Sequence, residues 1–139
     1  MKKIIYSFVA MVLIGCNQQS RDLNTKIIND NLCLFTNESK DYGKDNFLVH
    51  FAKIDFSKEY RSEYEKSYSK TDLPISEKNC IAIPLDKLEK NLAYTITLST
   101  INKSFNSQIC ILENNSGISI KQVEAGKSTC ESVSYTHLR

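Results

Sequence analysis

The sequence predicts an all-β domain: a small antiparallel sandwich of immunoglobulin-like or transthyretin-like type, stapled by disulfides and carrying one short helical insert. Three observations predict it. Short apolar or alternating segments recur along the chain, with turn residues between them. Four cysteines follow an N-terminal segment that has the features of an export signal. A single charged segment instead carries tyrosines at a helical spacing.

Residues 1–15 have the features of a lipoprotein signal peptide. Lys2 and Lys3 form a positive start, and Ile4–Ile14 is an apolar stretch that is shorter than the roughly 20 residues of a membrane span. The usual small-residue cleavage site is replaced by "LIGC", which ends at Cys16 and resembles a bacterial lipobox. We expect cleavage before this cysteine and acylation of its thiol. A short buried helix that contains a cysteine is the alternative.

Acylation would determine where the protein works. Each buried methylene contributes about 0.8 kcal/mol of membrane affinity, so several acyl chains on Cys16 make a durable anchor. Asn17 follows the cysteine, and in enterobacteria-like sorting a residue other than Asp at this position corresponds to the outer membrane. Residues 16–26 are polar and lack periodicity, which predicts a lipidated N-terminus and flexible tether. We therefore expect a domain on the periplasmic face of the bacterial cell envelope, anchored to the outer membrane.

The remaining cysteines are Cys33, Cys80, Cys110 and Cys130, and we expect them to form two disulfides. No two lie close together in sequence, and no CxxC or HxxxH spacing occurs, which disfavours zinc. An unpaired reactive thiol would oxidise in this compartment. Of the three possible pairings we favour Cys33 with Cys80 and Cys110 with Cys130, because the second pair would close a local C-terminal hairpin. Free buried thiols are the alternative.

Six segments are predicted to be strands, and the clearest alternates between apolar and hydroxyl side chains. They are Asn31–Phe35, Asn46–Ile54, Asn79–Leu85, Leu92–Thr100, Ser104–Leu112 and Ile118–Val123. Pro84 marks a strand end or an edge, because proline cannot donate to a ladder. The segment "IPLDKLEKN" is predicted to hold one helical turn at a corner between the sheets, and "ENNSG" a loop. The sandwich domain is assigned to residues 27–132.

The helical insert is predicted over Ser57–Lys70, "SKEYRSEYEKSYSK". Tyr60, Tyr64 and Tyr68 recur every four residues between charged neighbours, which places them on one face of a helix. Two interpretations stay open. The tyrosines pack on the sheet, or they contact a protein partner, since tyrosine is enriched among the residues that dominate binding energy at interfaces.

Composition and motifs disfavour catalysis and nucleic-acid binding. The chain has 18 basic and 16 acidic residues, and Lys2 and Lys3 account for the excess, so the domain lacks a basic run for phosphates. The two histidines, His50 and His137, are isolated, and His50 lies within a predicted strand. No GxSxG, HExxH or phosphate-binding glycine loop occurs. We expect no enzyme, no metal or cofactor, no nucleic acid and no small-molecule substrate.

The last residues, Val133–Arg139 ("VSYTHLR"), resemble a recurrent contaminating tail found at the ends of open reading frames from misassembled reads. We therefore expect residues 133–139 not to be native and the native sequence to diverge shortly after Cys130. No function is assigned to this tail.

The lipobox, "LCLF", "DLPISEKNCIAIPL" and "NLAYTITLST" together resemble the type VI secretion system immunity periplasmic lipoproteins, which are small and β-rich. The resemblance spans Ile27–Cys130, with Cys33, Cys80 and Tyr94 as landmarks. It implies a protein that binds and neutralises a toxic effector delivered into the periplasm by neighbouring cells, without catalytic residues. A structural lipoprotein of a secretion or envelope complex and a lysozyme-inhibitor-like lipoprotein are the alternative functions.

Overall fold

The computed structural model describes residues 21–40, 42–124 and 126–130. The predicted signal peptide (residues 1–15), Cys16 and the tail at residues 133–139 lie outside the described residues, and these expectations stay predictions. Among the helical segments of the described residues, none has the length and apolar character needed to cross a membrane.

The described chain is built from strands and two short 3-10 turns. The strands are β1 (Arg21–Asp22), β2 (Asn24–Ile28), β3 (Asn31–Phe35), β4 (Lys44–Lys53), β5 (Tyr64–Asp72), β6 (Ile81–Pro84), β7 (Ala93–Ser99), β8 (Ser104–Asn114) and β9 (Gly117–Gln122). The 3-10 turns are Glu77–Asn79 and Leu85–Lys87. All six predicted strands are confirmed, as β3, β4, β6, β7, β8 and β9. The second 3-10 turn confirms the predicted helical turn at the corner before β7.

The strands form two sheets that pack face to face. The larger sheet has the order β1-β8-β7-β4-β5, and β9 pairs with β8 on the side that β1 also occupies. The smaller sheet has the order β2-β3-β6. Every pairing is antiparallel except that of β1 with β8, which is parallel. The predicted all-β, mainly antiparallel sandwich is therefore confirmed.

The core lies between the two sheets. Strand β7 shows why, because Tyr94, Ile96 and Leu98 are buried while the hydroxyl side chains between them are half-buried on the outer face. The same alternation gives β6 and most of β4 and β8 one buried apolar face. The apolar side chains that fill the core from the neighbouring strands are Leu32, Leu34, Phe47, Val49, Phe51, Ile81, Ile83, Phe105, Ile109 and Ile111. Burial of this apolar surface is the main favourable contribution to folding.

The corner between the sheets is held by Tyr94, the second residue of β7. Its hydroxyl oxygen accepts a hydrogen bond of 2.9 Å from the backbone N–H of Glu89, just after the second 3-10 turn. Burial raises the pKa of the Tyr94 phenol. A buried tyrosine needs such a polar partner, and tyrosines at strand corners of immunoglobulin-like sandwiches make a similar bond to upstream backbone. The bond therefore fixes the crossing from β6 to β7.

The sheets begin earlier in the chain than the sequence predicts. Strands β1 and β2 occupy most of the second half of the expected tether, and Leu23 between them is buried, with its N–H donating to Asn106 O at 2.9 Å. Asn29 and Asp30 both have positive φ and form the two-residue turn from β2 to β3, as a type I′ hairpin requires. The predicted tether is therefore wrong from Arg21 onwards. Its polar residues belong to edge strands, in which polar side chains face water.

Both favoured disulfides are present. Cys33 on β3 is bonded to Cys80, which directly precedes β6, with a Cα–Cα distance of 5.4 Å. Cys110 on β8 is bonded to Cys130, with a Cα–Cα distance of 5.7 Å. The first bond reinforces the smaller sheet, and the second ties the end of the described chain to the outer face of the larger one.

The predicted helix over Ser57–Lys70 is wrong. Its second half is β5, an edge strand antiparallel to β4, in which Tyr64 lies opposite Phe51 and Tyr68 lies opposite Phe47. A spacing of four residues places side chains on one face of a strand as well as of a helix, because four is a multiple of the strand period. The matching spacing of the two phenylalanines on β4 decides in favour of the strand.

Candidate functional site

A groove lies at the end of the larger sheet where β4 leads into β5. The connecting segment, residues 54–63, is called the distal loop. It folds over the outer face of the sheet and forms one wall of an open groove of about 930 Å³. Thr95 of β7 and Gln108 of β8 line the opposite wall of this groove. We call this space the distal groove. Its size is that of a site for a small molecule or for a protruding segment of another protein.

Both ends of the distal loop are tied to the sheet. The Ile54 N–H donates to Ala93 O, and the Glu63 N–H donates to Phe51 O, each at 2.9 Å. Inside the loop, the Asp55 carboxylate accepts hydrogen bonds from Ser57, at 2.6 Å from the hydroxyl and 3.0 Å from the backbone N–H. These two bonds lower the pKa of Asp55, the side-chain bond having the larger effect. The loop is thus anchored although most of its side chains are exposed.

His50 and Tyr60 join the middle of the loop to the sheet. The His50 Nδ1 and the Tyr60 hydroxyl are 2.5 Å apart, and the two rings meet edge to face. The Ser62 hydroxyl lies 3.4 Å from the same phenol oxygen. His50 is half-buried on the outer face, opposite Glu65 of β5 and Thr97 of β7. The predicted isolated histidine is therefore a structural contact for the loop.

Charged side chains of both signs surround the distal groove. Lys53 Nζ lies 3.2 Å from Glu89 and 3.5 Å from Glu63, and the hydrogen bond to Glu89 is the largest of the influences that raise the pKa of Lys53. Exposed pairs of this kind contribute little to stability, so they can exchange partners at low cost. Glu59 and Arg61 have no ion-pair partner within the part of the chain that the structure describes. Their charges are available to a ligand.

The distal loop also exposes two aromatic side chains. Phe56 is 68% exposed and Tyr60 is 57% exposed. Single exposed apolar residues are common, but two aromatics and an unpaired arginine on one anchored loop are the residue types that dominate binding energy at protein interfaces. Phe56 is not among the binding residues predicted from the sequence. The signal for it was an apolar ring in the otherwise polar run "DFSKEYR".

The structure separates the three tyrosines of the predicted binding stripe. Tyr64 stacks on Phe51 with ring centroids 4.8 Å apart, and Tyr68 stacks on Phe47 at 4.9 Å. Burial raises the pKa of Tyr68. These contacts support the packing interpretation for Tyr64 and Tyr68, since both rings extend the core at the sheet edge. Only Tyr60 lies at the distal groove, where a role in partner binding stays a prediction.

Candidate metal ligands do not converge anywhere in residues 21–40, 42–124 and 126–130: no group of three or more His, Cys, Asp or Glu side chains there could hold a metal ion. The cysteines of this part of the chain are consumed by the two disulfides.

Comparison of the chain with protein-family models, with curated proteins and with solved structures finds no match. The distal groove and the sequence features of the N-terminus are therefore the observations that bear on function.

We expect the stability of the protein to fall as His50 becomes protonated. Burial lowers the pKa of His50 below its ordinary value of 6.5, and the nearby Glu65 carboxylate opposes this only in part. Below pH 6.5 the unfolded chain therefore binds the proton more readily than the folded one. Stability contributed by the neutral imidazole is fully present above pH 6.5 and is lost as the pH falls through the lowered pKa.

Urea unfolding at a series of pH values measures this effect. The loss of stability below pH 6.5 should be smaller in His50→Gln than in the original protein. Tyr60→Phe is the matched control, because it removes the hydroxyl partner and keeps the histidine. Equal slopes for the original protein and His50→Gln would contradict the assignment.

Proposed function

We propose that this protein is a lipid-anchored binding protein of the bacterial envelope that neutralises a toxic effector of a type VI secretion system. The observation that carries the proposal is the distal loop, which presents Phe56, Tyr60 and Arg61 at the mouth of a groove on an anchored, disulfide-stapled sandwich. The lipobox and the family-like segments of the sequence support the location and the kind of partner.

The geometry supports protein binding in a specific way. Backbone hydrogen bonds hold both ends of the distal loop on the sheet, so less conformational entropy is lost when a partner binds. The exposed rings offer apolar contact area, and Glu59 and Arg61 offer charges of both signs at the groove. An inhibitor in this compartment must also stay folded without help from the cytoplasm, which two disulfides favour.

A competition assay tests the proposal in cells. A strain that lacks the gene is grown with wild-type siblings whose type VI secretion system is active, and its survival is measured. We expect the deletion to be killed and to be rescued by the original gene. Secretion that fails in the deletion strain while self-protection stays intact would favour the structural alternative instead. Inhibition of a lysozyme by the purified protein would favour the third function.

The gene for the double variant Phe56→Ala with Tyr60→Ala should fail to rescue the deletion strain. Removal of two interface anchors weakens binding by about 2 kcal/mol or more, which is roughly 30-fold in affinity. The affinity can be measured by calorimetry with the effector that the original protein captures in the same assay. Ile118→Ala is the matched control, since it removes an exposed apolar side chain outside the distal groove. Full rescue by the double variant would exclude the distal loop as the binding surface.

A further inference from the structure

Another exposed apolar residue lies at the opposite end of the larger sheet from the distal groove. Ile101, 91% exposed, stands at the tip of the turn between β7 and β8. The turn is held by hydrogen bonds from Thr100 N–H to Lys103 O at 2.8 Å and from Lys103 N–H to the Thr100 hydroxyl at 3.0 Å. Ile101 is therefore presented by an ordered turn, although it contributes nothing to the core.

The chain enters the fold beside this turn. Strand β1 is parallel to β8, with Arg21 opposite Phe105, so β1 begins at the end of the sheet where the β7–β8 turn lies. Cys16 is five residues earlier in the sequence. Five residues span at most about 18 Å when fully extended. A lipid on Cys16 would hold Arg21, at the start of β1, within about that distance of the membrane surface.

Cations gather around Tyr42 at the same end. Lys103 Nζ lies 4.3 Å and Lys40 Nζ 5.3 Å from the centroid of the Tyr42 ring, and Arg21 Nη1 lies 3.3 Å from its hydroxyl. Arg21 also pairs with Glu38 at 3.0 Å. Neither lysine has a carboxylate partner among the described residues. An aromatic ring with cations around it suits the boundary between acyl chains and anionic headgroups.

We propose that this end of the sandwich docks on the phospholipid surface into which the acyl chains of Cys16 insert. Ile101 enters the boundary between headgroups and acyl chains, and Lys40 and Lys103 face anionic headgroups. The inference rests on the lipid anchor that forms part of the proposed function. Since β4 runs from this end to the distal loop over 10 residues, docking holds the distal groove about 30 Å further from the membrane. The groove then faces the periplasm.

Tryptophan substitution tests the docking, because the chain contains no tryptophan of its own. The full lipidated protein carrying Ile101→Trp is reconstituted into vesicles of phosphatidylethanolamine and phosphatidylglycerol with brominated acyl chains. We expect its emission to shift to shorter wavelength and to be quenched. Phe56→Trp at the distal loop is the matched control, since both replaced side chains are largely exposed. Its emission should stay unquenched, because the distal loop lies at the opposite end of the larger sheet.

The charge contribution has its own control. Lys40→Glu with Lys103→Glu, added to the Ile101→Trp protein, should reduce quenching, and the reduction should shrink as salt screens the headgroups. Lys87→Glu, an exposed lysine near the start of β7, should leave quenching unchanged. Equal quenching at positions 101 and 56, or quenching at position 56 alone, would overturn the proposed docking.

The anchor and the toxin-binding role can fail separately. The mass of the mature N-terminal peptide shows whether Cys16 carries lipid, and an unmodified Cys16 overturns both the anchor and the docking. A lipidated protein that is quenched at position 101 and fails the competition assay supports the docking and overturns only the toxin-binding role.

Discussion

Replacing Cys33 and Cys80 together by alanine is expected to lower the free energy of unfolding by about 4 kcal/mol. The two cysteines are 47 residues apart, so the bond closes a long loop and removes much of the conformational freedom of the unfolded chain. Cys33 is also buried, and alanine leaves a small cavity but no unpaired polar group at its position. A loss of this size is a large share of the 5–15 kcal/mol that is typical of folded proteins.

Equilibrium unfolding in urea measures this loss, with the second disulfide as the matched comparison. Cys110→Ala with Cys130→Ala opens a shorter loop, of 20 residues, and should cost about 3 kcal/mol. The order of the two losses is the sharper test, because it follows from loop length in the chain-entropy account. A larger loss for the second pair would show that local packing around Cys110 outweighs chain entropy.

Phe51→Ala is expected to destabilise the fold by about 3–5 kcal/mol. Phe51 is buried in the middle of the core, stacked on Tyr64 at 4.8 Å and edge to face with Tyr94 at 5.6 Å. Truncation leaves a cavity between the sheets and removes both ring contacts. The measurement is again the free energy of unfolding, determined on the disulfide-bonded protein.

Tyr64→Ala provides the comparison for Phe51→Ala. Its ring packs on the same cluster from the sheet edge, where it is only partly buried, so we expect a smaller loss of about 1–2 kcal/mol. Effector affinity per folded molecule should not change. A selective loss of effector affinity with an unchanged free energy of unfolding would show instead that Tyr64 contacts the partner.

For the tyrosine segment, the sequence pattern alone could not decide between a helix and a strand. Tyr64 and Tyr68 share a face under either the helical or the strand period, so their spacing could not choose between the two. The choice depends on a partner: Phe47 and Phe51 of β4 have the same spacing and stand opposite them. The distal loop separates β4 from β5, so neither segment alone shows that the two strands pair. The edge position of β5 also explains its charged composition, which is unlike that of a central strand.

The sequence by itself determined the all-β class and the six main strands, because alternation of apolar residues is a local signal, and it predicted two disulfides from an even set of cysteines. Which of the three possible pairings forms was decided by the structure. Only the tertiary structure decided that the expected tether becomes β1 and β2, that Phe56 and Tyr60 stand at one groove, and that Ile101 and Arg21 share the other end. These placements follow from which strands pair and in which direction they run. Strand pairing is set by burial and backbone hydrogen bonds across the whole chain, so no single segment encodes it.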